Sequence, residues 1–192
     1  MIDTEGKFPE RKSIRLKNFD YSNTGAYFIT ICAQDRKCLF SEFVNKKENI
    51  DPCAERHRSV GEGLDPPAEK PEEYPKMQKM QLTKIGEIAK EQLLALEARF
   101  HNVKIDEYVF MPDHMHAIIF LRKDTGGSRP SPTLMDIIRV YKSLTSRLCK
   151  QKFGTEKLFQ RSYMEHIIRD KSDYETKRKY IYENPIRWYY NK

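Results

Sequence analysis

The feature that most constrains this chain is Asn45 to Leu82, a stretch without hydrophobic periodicity. It holds five of the ten prolines, 7 basic and 8 acidic side chains, and hardly any aliphatic ones. Such a segment cannot bury enough apolar surface to offset the entropy of ordering itself. It reads as a mobile insertion in a loop or hairpin and not as a linker between domains, because neither flank can complete a core alone. The 192 residues therefore reduce to one domain of about 155 residues plus the insertion.

The flanks are patterned. Ala26 to Cys32, aromatic and β-branched, predicts a buried strand after the turn-like Ser22-Asn-Thr-Gly25. A second strand over Cys38 to Val44 is expected to close a hairpin across Gln34 to Lys37. Thr83 is placed to cap a helix reaching about Phe100, with Ile85, Ile88, Ala89, Leu93, Leu96 and Phe100 on one stripe. Strands are predicted over Val103 to Phe110 and His114 to Leu121, joined by the turn Met111-Pro-Asp113. A loop marked by Gly126, Gly127, Pro130 and Pro132 follows. A helix from Thr133 to Phe153 carries Leu134, Ile137, Ile138, Tyr141, Leu144 and Leu148 on one face, with Lys142, Arg147 and Lys150 elsewhere. Tyr163 to Ile168 reads as a short strand. Ser172-Asp-Tyr-Glu175 has the form of a capping box for a last helix that should stop at Pro185. The order β-β-α-β-β-α-β-α gives an α+β class, an antiparallel sheet with helices packed on it.

Charge adds direction. Lys and Arg total 35 against 28 acids, a net charge of +7, which fits a polyanionic partner. Counted from Arg139 to Lys192 there are 14 basic and 6 acidic residues, so the basicity belongs to the last quarter and the remainder sums to -1. No apolar run approaches the roughly 20 residues of a bilayer helix, and the start lacks the apolar region of a signal peptide; no membrane partner is expected. Cys32, Cys38, Cys53 and Cys149 form no CxxC pair and read as reduced thiols of a cytoplasmic protein, with Cys32 and Cys149 as small core residues.

The sharpest local pattern is Met111-Pro-Asp-His-Met-His-Ala-Ile-Ile-Phe-Leu121. Strand side chains alternate, so His114 and His116 share one face while Met115 and Ala117 share the other. Two adjacent imidazoles make half a metal site, but such a pair also occurs as hydrogen-bonded structural residues, and a zinc hydrolase would need a further ligand.

Four segments together resemble the HUH-type single-tyrosine transposases of the insertion-sequence 200 superfamily, and more closely the REP-associated tyrosine transposases. They are Arg11-Lys-Ser-Ile-Arg-Leu-Lys-Asn-Phe-Asp-Tyr-Ser22 with Gly25 to Cys32, Met-Pro-Asp-His-Met-His116, Tyr141-Lys-Ser-Leu-Thr-Ser-Arg147, and Phe159 to Arg169 ahead of Tyr180-Ile-Tyr-Glu-Asn-Pro185. The resemblance spans nearly the whole chain except Asn45 to Leu82, which departs from the family's short hairpin. It implies a ferredoxin-like sheet and an enzyme that cuts single-stranded DNA with a tyrosine hydroxyl, leaving a 5′-phosphotyrosine and a free 3′-OH.

A tyrosine hydroxyl has a pKa near about 10 and is a poor nucleophile, so the reaction needs the phosphate polarised, which a divalent metal supplies. The resemblance carries Tyr180 over as nucleophile, and His114, His116 and Asn184 as ligands of Mg2+ or Mn2+. Asn184, four residues after Tyr180, falls on the same helical face; a plain C-cap before Pro185 is its other reading. Tyr141 lies on an apolar stripe and reads as core, and Tyr182 points about 200° away from Tyr180. Asp113 reads either as an orienting partner for a histidine or as a turn residue; His101 and His166 read as structural. Lys142, Arg147, Lys150, Arg161, Arg169, Lys177, Arg178 and Lys179 are candidate phosphate contacts, with Arg11, Lys12, Arg15 and Lys17 as a second arm. The expected partner is hairpin or single-stranded DNA at the nucleoid, bound by a monomer or homodimer, with no small-molecule substrate. The alternatives are a domesticated hairpin-binding protein of the same fold without cleavage, and an unrelated metal hydrolase.

Overall fold

The computed structural model describes residues 24–44, 80–122 and 132–190. The expected arm at Arg11, Lys12, Arg15 and Lys17, residues 45–79 of the insertion, and the Gly126 to Pro130 loop lie outside them. Six strands and three helices follow in the order β1 (Gly25–Cys32), β2 (Ser41–Phe43), β3 (Met80–Leu82), α1 (Lys84–Arg99), β4 (Val103–Phe110), β5 (His114–Leu121), α2 (Leu134–Phe153), β6 (Met164–Ile168) and α3 (Lys171–Tyr190). The main sheet is antiparallel in the order β4-β5-β1-β6, and β2 pairs with β3 in a separate two-stranded ribbon. The class is α+β, as the element pattern indicated.

The two faces of this sheet differ. Tyr27, Ile29 and Ile31 of β1 and Met115, Ala117, Ile119 and Leu121 of β5 join the main core with Ile88, Ala89, Leu93 and Leu96 of α1 and Leu134, Ile137, Ile138 and Tyr141 of α2. Alternation sends Phe28 and Ile118 to the opposite face, where they form a smaller cluster with Ile181 of α3. The histidines of β5 lie on that second face, so α1 and α2 build the core while α3 covers the candidate site.

Helix starts follow capping chemistry. Thr83 Oγ1 accepts from Gly86 N–H at 3.0 Å, and Thr133 with Asp136 forms a reciprocal capping box. Gly154 ends α2 in the left-handed conformation, φ 70°, where glycine has no Cβ to clash. In α3 the expected Ser172 box is replaced. Asp170 takes the Asp173 N–H on its carboxylate at 2.9 Å and the Tyr174 N–H on its carbonyl, so the helix begins one residue before Ser172.

Three further expectations are corrected. Cys38 to Val44 does not hairpin with β1, because β5 and β6 already occupy both edges of that strand. The chain instead turns through a 3-10 segment at Gln34–Arg36, and only Ser41–Phe43 becomes strand, paired with Met80–Leu82. That pairing also orders the end of the insertion. Finally, α3 continues through Pro185 to Tyr190. Proline removes one backbone hydrogen bond, but the turn beyond it carries Trp188, which is buried. Among the cysteines, Cys32 and Cys149 are free and buried as expected, whereas Cys38 is disulfide-bonded.

Candidate functional site

The site assembles from β1, β5 and α3. Cross-strand register sets Thr30 opposite His116 and Cys32 opposite His114. The two rings are edge-on, 4.7 Å between centroids, with their Nε2 atoms 3.1 Å apart. Each Nδ1 is engaged from behind. Asp113 Oδ1 lies 2.5 Å from His114 Nδ1 and Thr30 Oγ1 lies 2.8 Å from His116 Nδ1. A carboxylate only accepts, so His114 Nδ1 donates to Asp113 while its Nε2 faces His116. Asp113 is itself faced by Arg36, whose guanidinium is 3.6 Å from Oδ2.

His116 is buried, and burial, then the neighbouring His114, hold its pKa well below the ordinary imidazole value. It is therefore neutral near pH 7, the form that coordinates metals. Two nitrogens bound at right angles to one ion at about 2.1 Å stand about 3 Å apart; the observed 3.1 Å meets that spacing. Among the described residues no group of three or more His, Cys, Asp and Glu is placed to hold a metal, so a further donor from these residues would be of another type.

Helix α3 brings the rest. The Tyr180 ring meets His116 edge-on at 5.2 Å and Phe28 at 5.8 Å, while Phe28 stacks on His116 at 5.1 Å. Two turns further, Trp188 lies 5.5 Å from His114. Asn184 sits midway between Tyr180 and Trp188 on the same helical face and is buried. The helix thus lays phenol and indole along the histidine pair, and Asn184 between them is an interior helical residue, not a C-cap.

The other tyrosines separate clearly. Tyr141 is fully buried, its hydroxyl donating to Met115 Sδ at 3.3 Å and its pKa driven upward by burial. Tyr182 is 78% exposed. His166 bonds Asp173 at 2.8 Å and ties β6 to the first turn of α3.

The candidate DNA contacts fall into three groups. Arg147, Lys150, Arg161 and Arg169 are exposed. Three others are engaged within the fold: Lys142 donates to the carbonyls of Gln160, Arg161 and Ser162, Arg178 bonds Glu107 at 3.0 Å, and Lys179 pairs with Glu183 at 3.8 Å. Lys177 alone is buried, its Nζ 5.4 Å from the centroid of the Phe28 ring. Thr30, Phe28, Arg36 and Trp188 escaped the sequence reading. The signal for Thr30 was a hydroxyl at the alternate positions of an apolar strand; Trp188 was hidden by ending the helix at Pro185.

Comparison with known proteins gives the family and the fold. The family model described as "Transposase IS200 like" matches residues 74–184, more than half the chain. An uncharacterised protein of Haemophilus influenzae is 30% identical over 193 residues, covering 93% of this chain and 89% of that protein. A solved structure of a REP-associated tyrosine transposase bound to a REP hairpin superposes with a TM-score of 0.52 at 17% identity, over 90% of this chain and 73% of that one, and shares its fold. With its antiparallel sheet and packed helices, and with the family model matched over more than half its length, this chain belongs to the IS200-like transposase family.

Proposed function

We propose that this protein is a REP-associated type of transposase that nicks and rejoins single-stranded DNA at hairpin, REP-like sequences, with Tyr180 as nucleophile. The observation that carries the reading is the 5.2 Å contact of the Tyr180 ring with His116, in a site where two imidazoles turn their Nε2 atoms toward each other. The whole chain acts as a single catalytic domain.

His114, His116 and Asn184 are the residues that would hold Mg2+ or Mn2+; two imidazoles and an amide, completed by phosphate oxygens, suit a partly hydrated ion better than a closed tetrahedral zinc site. When bound, such an ion polarises the phosphate and offsets its developing charge. The chain's own groups do the rest. Phe28 and His116 confine the Tyr180 ring from two sides, which limits the directions its hydroxyl can take. Attack forms the Tyr180 Oη–P bond and breaks the P–O3′ bond; the phenol's proton ends on the released 3′ oxygen. Because the phosphodiester is exchanged and not hydrolysed, the reverse reaction rejoins strands without ATP. Arg147, Lys150, Arg161 and Arg169 supply phosphate contacts along the approach, with Arg11, Lys12 and Arg15 as a second arm.

The test is a covalent adduct. With Mn2+ and a hairpin oligonucleotide carrying a single-stranded flank, the wild-type protein is expected to give a band that survives denaturing electrophoresis, and Tyr180→Phe none. Tight hairpin binding with no adduct under any divalent metal would assign the protein to hairpin recognition without cleavage. An adduct retained in Tyr180→Phe and lost in Tyr141→Phe would overturn the nucleophile.

A further inference from the structure

Lys177 is a buried cation beside Phe28 with no ion pair among the described residues, and we propose that its ammonium binds the scissile phosphate as a catalytic residue. This rests on Tyr180 being the nucleophile. Lysine is almost never buried unless paired. Here only 9% of the residue is exposed, and Nζ lies 5.4 Å from the centroid of the Phe28 ring. That ring also stacks on His116 and meets Tyr180 edge-on. Phe28 is therefore the neighbour that the ammonium, the imidazole and the phenol have in common. Lys177 precedes Tyr180 by three residues, a spacing that puts both on one helical face.

Its neighbours in sequence behave differently. Arg178 is bonded to Glu107, and Lys179 to Glu183. Among the described residues Lys177 makes no ion pair. The carboxylate one turn earlier, Asp173, is already committed, with both oxygens on His166 Nε2 at 2.8 and 3.0 Å and one on the Arg169 N–H. The ring face of Phe28 offsets the desolvated charge only in part. A phosphodiester entering between Tyr180 and the histidines brings the missing anion.

The chemistry balances without a co-reactant. During attack the Tyr180 Oη–P bond forms as the P–O3′ bond breaks, and the phenol's proton passes to the 3′ oxygen, so the phosphoryl group carries one negative charge before and after. Charge accumulates on its non-bridging oxygens only in between. An ammonium fixed beside them is worth more in the transition state than in the ground state, which is the condition for accelerating the step.

Lys177→Met keeps the stem and removes the charge; Lys177→Arg keeps the charge. The experiment measures adduct formation with the hairpin oligonucleotide, the salt dependence of its binding, and the melting of the DNA-free protein. For Lys177→Met the expected results are a fall of about 10²–10³-fold in adduct rate, a slope of log affinity against log salt reduced by about 0.7, and a melting temperature equal to or above wild type, since a buried unpaired charge has been replaced by an apolar group. Lys177→Arg should recover part of the rate. An unchanged adduct rate in Lys177→Met, while Tyr180→Phe is inactive, overturns the proposal. So does a lowered melting temperature, which marks a structural residue. If the wild type gives no adduct, the nucleophile assignment fails by itself, and an unchanged salt slope in Lys177→Met then separately removes Lys177 from phosphate binding.

Discussion

Replacing Thr30 by valine should loosen divalent-metal binding without dismantling the fold. The hydroxyl lies 2.8 Å from His116 Nδ1, and both residues are buried, at 7% and 4% exposure, so water cannot take its place. Valine is nearly the same shape, and no cavity opens. What is lost is the hydrogen bond that fixes the ring's rotation, leaving Nδ1 unpartnered at a cost of about 1–3 kcal/mol. Partners of metal-binding histidines typically contribute 10–100-fold in affinity, or about 1.4–2.8 kcal/mol at 1.4 per decade. Titration of Mn2+ followed by electron paramagnetic resonance of the free ion reads the affinity directly, with no need for DNA. Thr30→Ser retains the oxygen and should stay near wild type. Manganese affinity within about twofold of wild type in Thr30→Val, or an equal loss in Thr30→Ser, would refute the reasoning.

Three other outcomes are expected. A Cβ at Gly86 would stand 1.8 Å from the Phe40 carbonyl oxygen, so Gly86→Ala must push the start of α1 off the 39–40 segment; overpacking of this kind costs about 1–3 kcal/mol or more, readable as a loss of about 2–4 °C in melting temperature per kcal/mol. Tyr174 donates to Asp106 Oδ2 at 2.6 Å, and this bond, then burial, pushes its pKa up to about 12. The folded chain keeps a proton that the unfolded chain releases near about 10, so stability should fall as pH rises from there through about 12; Asp106→Asn should return phenolate absorbance to the ordinary range and flatten that part of the stability curve. Arg178→Glu should repel Glu107 and disturb α3, shifting the emission of Trp188, the only tryptophan; adding Glu107→Arg should restore both emission and adduct rate if the pair positions the helix.

Local signals made much of this legible. Apolar periodicity defined β1, β4, β5 and α2, and Thr83 and Thr133 marked helix starts through chemistry that acts over three residues. Strand alternation alone placed His114 and His116 together and away from Met115. The failures share one cause, which is that competing partners lay far along the chain. Nothing in Cys38 to Val44 reveals that both edges of β1 are taken by β5 and β6. Nor does the Pro185 signal weigh the burial of Trp188 against one lost hydrogen bond. The intramolecular partners of Lys142 and Arg178, the Gln160 carbonyl and Glu107, are hidden in the same way, 18 and 71 residues distant.

The unequal faces of the sheet decide which substitutions should unfold the protein and which should only silence it. The α1–α2 face holds nearly all of the fully buried large side chains, including Tyr27, Ile29, Leu93, Ile119 and Tyr141. Truncating one of these leaves a cavity costing about 2–5 kcal/mol, a large share of the stability of any domain. The α3 face rests on Phe28, Ile118 and Ile181, and polar contacts supply much of the remaining attachment: Tyr174 to Asp106, Arg178 to Glu107, and His166 to Asp173. These lie toward the surface, where each contributes little to global stability. Their effect is instead on where Tyr180 stands relative to His116. A shift of about 1 Å there suffices to cost about 10²-fold in rate. Changes at Asp106, Glu107 or Asp173 should therefore lower adduct formation far more than melting temperature, whereas changes at Leu93 or Ile119 should lower both together.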